Sequence, residues 1–591
     1  MTDALEQRKG AVRITTQTTA DMLRVTLLDT TREHVAALPG PVSAENDSPS
    51  VRSGVDLFER ARAGWHQAVW FEVRHPLEHS STSIATSAPT DIHPSEPSSP
   101  TDPSEKRVQG EPDAGRQSTD AAQALPALDL VSMTSPQLIQ LLDGGAISSV
   151  QLTQLYLRRI EATSALNAVI GINPHALEEA ARADELRQTG ANHGPLLGWP
   201  VIIKGNGAVK GLPTTAGSEA LADSYPDTDA TVVTRLREAG AVILGHSNLT
   251  EFAFYLGKLP AGYSSYGDQT RNPIDESLTP GGSSSGSAVI YKAGGAPLAI
   301  GTQTSGSIMS PCNYNQVVGL KPTVGAVSRA GIVPISTTRD TPGPISPDVT
   351  GAAIALTAIV GVDPQDPATA HNPLAGHDFT EDLNPEALRG ARIGVMTAGI
   401  PSEDSAQRPL WDAVLRTLEA QGATLITVDL DTSHSFQDDD PPWSSVFSYE
   451  FKRGMNEWLP ANTSMESLAD LIAYYEANAE TAAKYGYDRA LAAEAMDLAE
   501  DSADTAKYKA DLQLDLAESK DRIDAVLAEH QLTALMSVYD YGTVIGDKAG
   551  YPAIIVPAGR TPADRAHPAG EHVNVTFRAA AWSEPTLVAL A

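Results

Sequence analysis

Residues 280–325 read PGGSSSGSAVIYKAGGAPLAIGTQTSGSIMSPCNYNQVVGLKPTVG, and they carry the strongest structural signal in this chain of 591 residues. Two loops of small residues, GGSSSGS at 281–287 and GTQTSGS at 301–307, flank a short helical pattern, a Gly-Gly turn and an apolar run. Glycine permits backbone torsions and close approaches that side chains forbid, so such loops can direct several N–H groups at one point. Hydroxyl groups beside such donors are what a serine hydrolase requires.

Two other interpretations of these loops compete with this one. A Gly/Ser-rich segment is more often a linker or a turn than an active site, but these loops lie in the most regularly apolar part of the chain. The pentapeptide GSSSG at 282–286 also matches the nucleophile elbow of α/β-hydrolases. That elbow follows a strand directly, whereas residues 277–281, SLTPG, are a poor strand sequence, and no downstream histidine stands out as a base. We therefore reject the elbow.

Outward from these loops, amphipathic helices alternate with short apolar runs bounded by Gly or Pro. The helical patterns cover residues 135–143, 150–162 with Ser149 as N-cap, and 232–239. Such alternation over several hundred residues predicts an α/β fold with a mixed or parallel central β-sheet covered by helices on both faces. The predicted buried strands are 200–203, 242–244, 297–300, 393–395, 425–428 and 553–556.

Composition divides the chain into three zones. Residues 1–79 are charged, with apolar residues at helical spacing around 22–28 and 55–69, and predict an N-terminal helical extension of unknown role. Residues 80–124 are rich in Ser and Pro, with SEPSSPTDPSE at the centre. So few apolar side chains cannot offset the entropy of ordering, which predicts a disordered linker. Residues 125–591 form the α/β domain.

Charge and composition limit the partners. The chain has 74 Asp and Glu against 42 Lys and Arg, a formal net charge of -32, which disfavours nucleic acid and anionic membranes as partners. No secretory pattern or membrane-spanning apolar run is evident, so a cytoplasmic protein is expected. With Cys312 as the single cysteine and scattered histidines, we predict no metal and no cofactor. The oligomeric state stays open.

Residues 280–325 closely resemble the signature of the amidase signature family, in which a GGSS-type loop precedes GT-x-T-x-GS and GLKPT segments. Upstream, GWPVIIKGNGAVKGLPTTAGSEAL at 198–221 resembles the family's lysine segment. Downstream, AGYPAIIVPAG at 549–559 matches as well. The resemblance covers about residues 125–591 and implies the amidase signature fold.

The resemblance implies roles for three side chains. Ser307 aligns with the nucleophile, Ser283 with the bridging serine after a cis peptide bond, and Lys204 with the base. A hydroxyl is a weak nucleophile, and a lysine can take its proton only as a neutral amine, which burial favours. The apolar run before Lys204 predicts a position at the end of a buried strand. The expected oxyanion hole consists of consecutive backbone N–H groups, those of Thr304, Ser305, Gly306 and Ser307.

Other residues of the signature receive structural interpretations. For the hydroxyls of Ser284, Ser285 and Ser287 we expect hydrogen bonds to nearby backbone. Residues 251–255 and 261–263 are candidates for contact with substrate, although core packing is the favoured interpretation of the phenylalanines in the first segment.

Three positions depart from the commonest family pattern. Gly205 stands where an acid often follows the lysine, Gln303 where the second loop usually has an Asp or Glu, and Met309 where an Arg is frequent. Joint loss of an acid and a base can leave neither charge unpaired, so we expect the three catalytic positions to be unaffected.

The sequence therefore predicts a serine amidase that hydrolyses a small amide or a peptide C-terminal amide and releases ammonia or an amine. The segments 283–289, 319–336 and 581–591 look most like bacterial peptide amidases. One alternative is an amidotransferase of the A type, which deamidates glutamine with a partner, and against which DTPGP at 340–344 counts. The other is a catalytically silent binding protein on the same fold, which the three departures suggest.

Overall fold

The sheet that positions the small-residue loops lies in the described part of a computed structural model, residues 125–190, 194–430, 445–565 and 567–591. Two further pieces, β1 (Thr15–Thr16) and β2 (Leu23–Arg24), pair antiparallel. Residue 23 is thus extended, although it belongs to a run with helical spacing. The rest of the predicted helical extension (1–79) and of the predicted linker (80–124) lies outside the described residues.

The remaining elements alternate between strand and helix along much of the chain. The strands are β3 (Val169–Ile172), β4 (Pro200–Lys204), β5 (Val242–Ser247), β6 (Tyr263–Ser264), β7 (Asp268–Gln269), β8 (Ala299–Gln303), β9 (Val318–Lys321), β10 (Thr341–Ser346), β11 (Arg392–Met396), β12 (Thr424–Val428), β13 (Ala534–Val538), β14 (Ala553–Arg560) and β15 (His572–Arg578). The helices are α1 (Ser135–Asp143), α2 (Ser149–Ala162), α3 (Ala176–Thr189), α4 (Thr231–Glu238), α5 (Ser285–Lys292), α6 (Met309–Asn315), α7 (Val349–Ile359), α8 (Arg408–Ala420), α9 (Ser445–Asn462), α10 (Leu468–Ala477), α11 (Asp488–Glu494), α12 (Ala503–Leu516), α13 (Arg522–Glu529), α14 (Thr543–Lys548) and α15 (Glu584–Leu590).

Eleven of these strands form one mixed sheet in the order β12-β11-β13-β15-β14-β9-β10-β8-β4-β5-β3. Parallel pairs join β4 to both β5 and β8, and β11 to both β12 and β13. Strands β4, β5, β8, β9, β10 and β13 are buried at every residue. Because successive side chains point to opposite faces, unbroken burial means that both faces are covered. The predicted fold class is confirmed, and all six predicted runs contribute strands.

Local capping explains where the first helices begin. Thr134 and Gln137 form a capping box before α1. At α2 the N-cap is Ser148, whose Oγ accepts from Gln151 N at 3.1 Å, so the prediction of Ser149 as the cap is wrong by one residue. The backbone N–H of Ser149 instead donates to Asp184 at 2.6 Å. Such boundaries are the least certain part of any sequence pattern.

A second apolar cluster joins α9, α10 and α11 to the segment that follows β5. The ring of Phe252 meets that of Phe451 edge-on with centroids 6.2 Å apart, and Tyr255 lies 4.5 Å from the same ring. This cluster therefore fixes the chain immediately beside the candidate site. Within the described residues, no helix has the combined length and apolar character needed to cross a membrane.

Candidate active site

The sheet topology brings two strand ends together. Strand β4 ends at Lys204, and its parallel neighbour β8 ends at Gln303. Because both strands run in the same direction, Lys204 and the loop 304–307 that follows β8 emerge at one edge of the sheet. Helix α5 begins at Ser285, directly after the first small-residue loop, and is buried over its first seven residues. The two loops of the signature thus face the same edge.

Lys204 is the centre of this edge. Its Nζ donates to the Oγ of Ser283 at 2.7 Å, to Thr302 Oγ1 at 2.9 Å and to the Thr302 carbonyl at 3.3 Å. Asn206 Nδ2 donates to the same Thr302 hydroxyl at 3.1 Å. Lys204 is 1% exposed and Ser283 fully buried, so these contacts are shielded from bulk water.

The two serine segments meet through the backbone. The N–H of Ser284 donates to the carbonyl of Ser307 at 3.1 Å, and the peptide bond Gly282–Ser283 is cis, as the sequence resemblance implies. Ser307 is 3% exposed, and its Oγ takes part in no hydrogen bond within the described ranges. The structure therefore brings together the three residues that the sequence singled out.

Burial sets the charge of the lysine. It lowers the pKa of Lys204 to about 7, against the opposing influence of Asp340. A large share of the amine is then neutral near pH 7, and a neutral amine has a lone pair to accept a proton. Asp340 itself is held by Thr304 Oγ1 at 2.5 Å and by the N–H groups of Ile335 and Ser336 at 2.8 and 2.9 Å.

The predicted oxyanion donors are only partly available. Gly306 has φ +79°, a conformation that glycine adopts without strain, and its N–H donates to Asp547 Oδ2 at 2.7 Å. In this conformation that donor is already occupied, which corrects its assignment to the oxyanion hole. The N–H groups of Ser305 and Ser307 enter no hydrogen bond among the residues described. Thr304 contributes its side chain to Asp340 as well.

The departures from the family pattern have local structural causes. A Cβ on Gly205 would lie 2.7 Å from Ile170 Cδ1 and 3.2 Å from the Ser247 carbonyl, so the backbone leaves little room for a side chain. Met309 is fully buried in the main apolar core. Gln303 is fully buried too, and its amide contacts Asp547, which the sequence did not single out.

The three neighbouring serine hydroxyls follow the structural interpretation in two cases. Ser284 Oγ donates to the Thr302 carbonyl at 3.1 Å, and Ser285 Oγ to the Gly281 carbonyl at 2.5 Å. The Oγ of Ser287 instead contacts Ser247 Oγ at 2.7 Å, a side-chain partner from β5.

One aromatic ring borders the loop of the bridging serine. A Cβ on Gly282 would lie 2.8 Å from Cε2 and Cζ of Phe254, so this half-buried ring packs directly on that glycine. Phe252, 1% exposed, belongs to the second apolar cluster. Core packing is therefore the right interpretation for Phe252, whereas Phe254 lies at the site.

Two further residues at the site carry no sequence signal of their own. Thr302 lies inside the GT-x-T motif but contacts Lys204 across 98 positions, and Asp547 reaches Gln303 across 244. Across residues 125–591 as described, no three His, Cys, Asp or Glu side chains come together as metal ligands.

Comparison with known proteins identifies the family of this site. The family model described as "Amidase" matches residues 151–588. The chain belongs to the amidase family. Its enzyme class is accordingly that of an amidase, a hydrolase acting on amides. A "probable amidase" of Arabidopsis thaliana is 37% identical to this family member over 463 residues, which are 75% of the chain and 86% of that relative.

Solved structures give the same family assignment. The peptide amidase from Stenotrophomonas maltophilia is 38% identical, with a TM-score of 0.70 over 78% of this amidase family chain and 94% of that one. An amidase family protein from Bacillus anthracis is 32% identical, with a TM-score of 0.71 over 78% and 89%. The A-type component of the glutamyl-tRNA(Gln) amidotransferase from Moorella thermoacetica is 43% identical over 270 residues. That match spans 45% of this chain and only 54% of the relative.

Proposed function

We propose that this enzyme hydrolyses the C-terminal carboxamide of a peptide or a similar small amide, with Ser307 as nucleophile, Ser283 as proton bridge and Lys204 as base. The observation that carries the proposal is the 2.7 Å contact between Lys204 Nζ and Ser283 Oγ at a buried strand end. A neutral lysine there can withdraw a proton through the bridging hydroxyl.

The proposed reaction passes through an acyl-enzyme. Ser307 Oγ attacks the amide carbonyl while its proton moves to Ser283, whose own proton moves to Lys204. The N–H groups of Ser305 and Ser307 stabilise the oxyanion, a contribution worth about 10²–10³-fold in rate per donor. Collapse breaks the C–N bond, and the proton returns from Lys204 through Ser283 to the leaving nitrogen, which departs as ammonia. Water then repeats the sequence on the ester and restores the Ser307 hydroxyl.

Similarity supports the peptide amide as the substrate class. The peptide amidase from Stenotrophomonas maltophilia covers 78% of this chain at 38% identity. The A-type amidotransferase relatives match about half of this chain and little more than half of their own length, so glutamine deamidation with a partner is the second candidate.

The net charge supports a further part of the proposal. At -32, the protein repels nucleic acid and anionic bilayers, so we propose a cytoplasmic enzyme that acts alone on a small substrate. Cell fractionation that places the activity with membranes or nucleic acid would contradict it.

The test is ammonia release from a panel of a peptide C-terminal amide, an aryl amide, a fatty amide and free glutamine. Wild type is compared with Ser307→Ala and with Ser285→Ala, a control in the same signature whose hydroxyl bonds to Gly281. We expect release from the peptide amide that only Ser307→Ala abolishes. Release from glutamine alone favours the amidotransferase candidate, and silence from the folded protein on every amide favours a binding protein.

A further inference from the structure

Gln303 ties down the backbone just after the proposed nucleophile. Its Oε1 accepts from the N–H of Ile308 at 2.7 Å and from the N–H of Met309 at 3.0 Å. Gln303 ends strand β8 and is fully buried. The two amides that follow Ser307 are therefore held from the strand that precedes it.

Asp547 ties down the backbone just before the nucleophile. From helix α14, its Oδ2 accepts from Gly306 N at 2.7 Å, and its Oδ1 accepts from Gln303 Nε2 at 2.7 Å. Lys321 Nζ lies 3.8 Å from the same Oδ1 and donates to the Tyr551 carbonyl at 2.8 Å. Asp547 is 1% exposed. One buried carboxylate thus joins the loop to α14 and to β9.

We propose that Gln303 and Asp547 act as a pair of positioning residues, which fix Ser307 from both sides and hold the Gly306 N–H away from the oxyanion. The inference rests on the proposed function, since it concerns the same serine. Because the three backbone N–H groups at 306, 308 and 309 are bound to two side chains that bind each other, the loop has little freedom to shift. A displacement of about 1 Å at a reacting atom can cost roughly 10²-fold in rate.

The pair depends on the chemistry of an amide facing a carboxylate. Gln303 accepts two N–H groups and donates to Asp547 at the same time, and only a side-chain amide does both. A glutamate at 303 would place two carboxylates within 2.7 Å, a distance at which one of them must take up a proton. The charged groups that act on Asp547 from neighbouring elements are Lys321, Arg578 and Arg339.

The decisive variant is Gln303→Glu, assayed for kcat and KM on the responsive amide from pH 5 to 9. We expect kcat to fall about 10²-fold at the alkaline end with KM little changed, because the substrate contacts remain while the serine shifts. The ratio of variant to wild type should rise toward low pH, where the two carboxyls share a proton. A purely structural role would change stability without this dependence on pH.

Reciprocal exchange tests whether the two residues act as a pair. In Gln303→Glu combined with Asp547→Asn, the carboxylate accepts Ile308 N, Met309 N and the new amide, whose oxygen accepts Gly306 N. We expect kcat to return to within about tenfold of wild type, whereas Asp547→Asn alone, which sets two amides face to face, stays low. The matched control is Glu584→Gln, a fully buried carboxyl that accepts Thr323 N at 2.6 Å away from this loop, and it should leave kcat unchanged.

A second readout separates this inference from the proposed function. A fluorophosphonate probe reacts with an activated serine by forming a P–O bond as fluoride leaves, and the labelled residue is identified by mass. If wild type labels at Ser307 while Gln303→Glu labels at the same rate at every pH, the positioning inference is overturned. It is also overturned if the double variant is no better than the single ones. If wild type neither labels nor releases ammonia, the proposed function fails, and the inference fails with it.

Discussion

The Nζ of Lys204 lies 2.7 Å from the Oγ of Ser283, and both side chains are almost completely buried. A lysine in such a place is costly as an ammonium ion, and its remaining partners, the hydroxyl and carbonyl of Thr302, are neutral. The same burial that penalises the charge makes the amine a base at physiological pH. The relation between these two residues therefore governs how the enzyme responds to pH.

The first prediction is the pH dependence of the rate. Since burial lowers the pKa of Lys204 to about 7, the protonated form dominates below that value and cannot accept the proton from Ser283. We expect kcat to rise as pH increases through about 7 and then to level off. Lys204→Arg, which stays protonated throughout, should lose activity at every pH. A rate of wild type that is flat from pH 5 to 9 would show that another group is the base.

The second prediction separates two serines of one loop. Ser283→Ala removes the hydroxyl that contacts Lys204 and should lower kcat by about 10²–10⁴-fold, the usual range for loss of proton transfer. Ser285→Ala removes a hydroxyl that donates to Gly281 instead and should leave kcat within a few-fold of wild type. Both are measured as ammonia release, with thermal melting to verify folding. Equal losses in the two variants would mean that the loop matters only as a scaffold.

The third prediction distinguishes two phenylalanines on one segment. Phe252 is buried against Phe451, so Phe252→Ala should lower the free energy of unfolding by about 3–5 kcal/mol. The ring of Phe254 packs on Gly282 beside the bridging serine, so Phe254→Ala should cost less stability. It should instead raise KM for an amide with an apolar acyl group about fivefold, the equivalent of roughly 1 kcal/mol of lost contact. Denaturant unfolding and steady-state kinetics measure the two effects. The assignment is wrong if Phe254→Ala unfolds as readily as Phe252→Ala with an unchanged KM.

Part of the sheet could be predicted because apolar runs bounded by Gly or Pro mark buried strands. Strand β10, TPGPIS, escaped because its two prolines and its glycine are typical of a turn. It forms nevertheless, since Pro342 and Pro344 pair with β8 on one side, while β9 pairs only with Ile345 and Ser346. The prolines thus lie where no second ladder needs their missing N–H groups.

The site divides in the same way. Lys204, Ser283 and Ser307 could be predicted because their flanking motifs are specific in combination. Thr302 and Asp547 could not, because their contacts join residues 98 and 244 positions apart and arise only when the sheet is assembled. The state of the Gly306 N–H depends on the second of these contacts, which is why a loop motif alone overstated the number of free oxyanion donors.

The fourth prediction concerns the glycine after the lysine. A side chain at 205 would point at Ile170 and Leu249, apolar residues on the face of the strand away from Lys204, so an acid placed there meets no cation. Gly205→Ala should lower the free energy of unfolding by about 1–3 kcal/mol through overpacking. Gly205→Asp should cost about 3–5 kcal/mol, as an uncompensated buried charge does. Urea unfolding measures both, with Gly546→Ala as the control, because a Cβ there would lie 3.8 Å from its nearest neighbour. If Gly205→Asp is as stable as wild type, the aspartate must reach a cation, and the departure at 205 then reflects tuning of the lysine and not a lack of space.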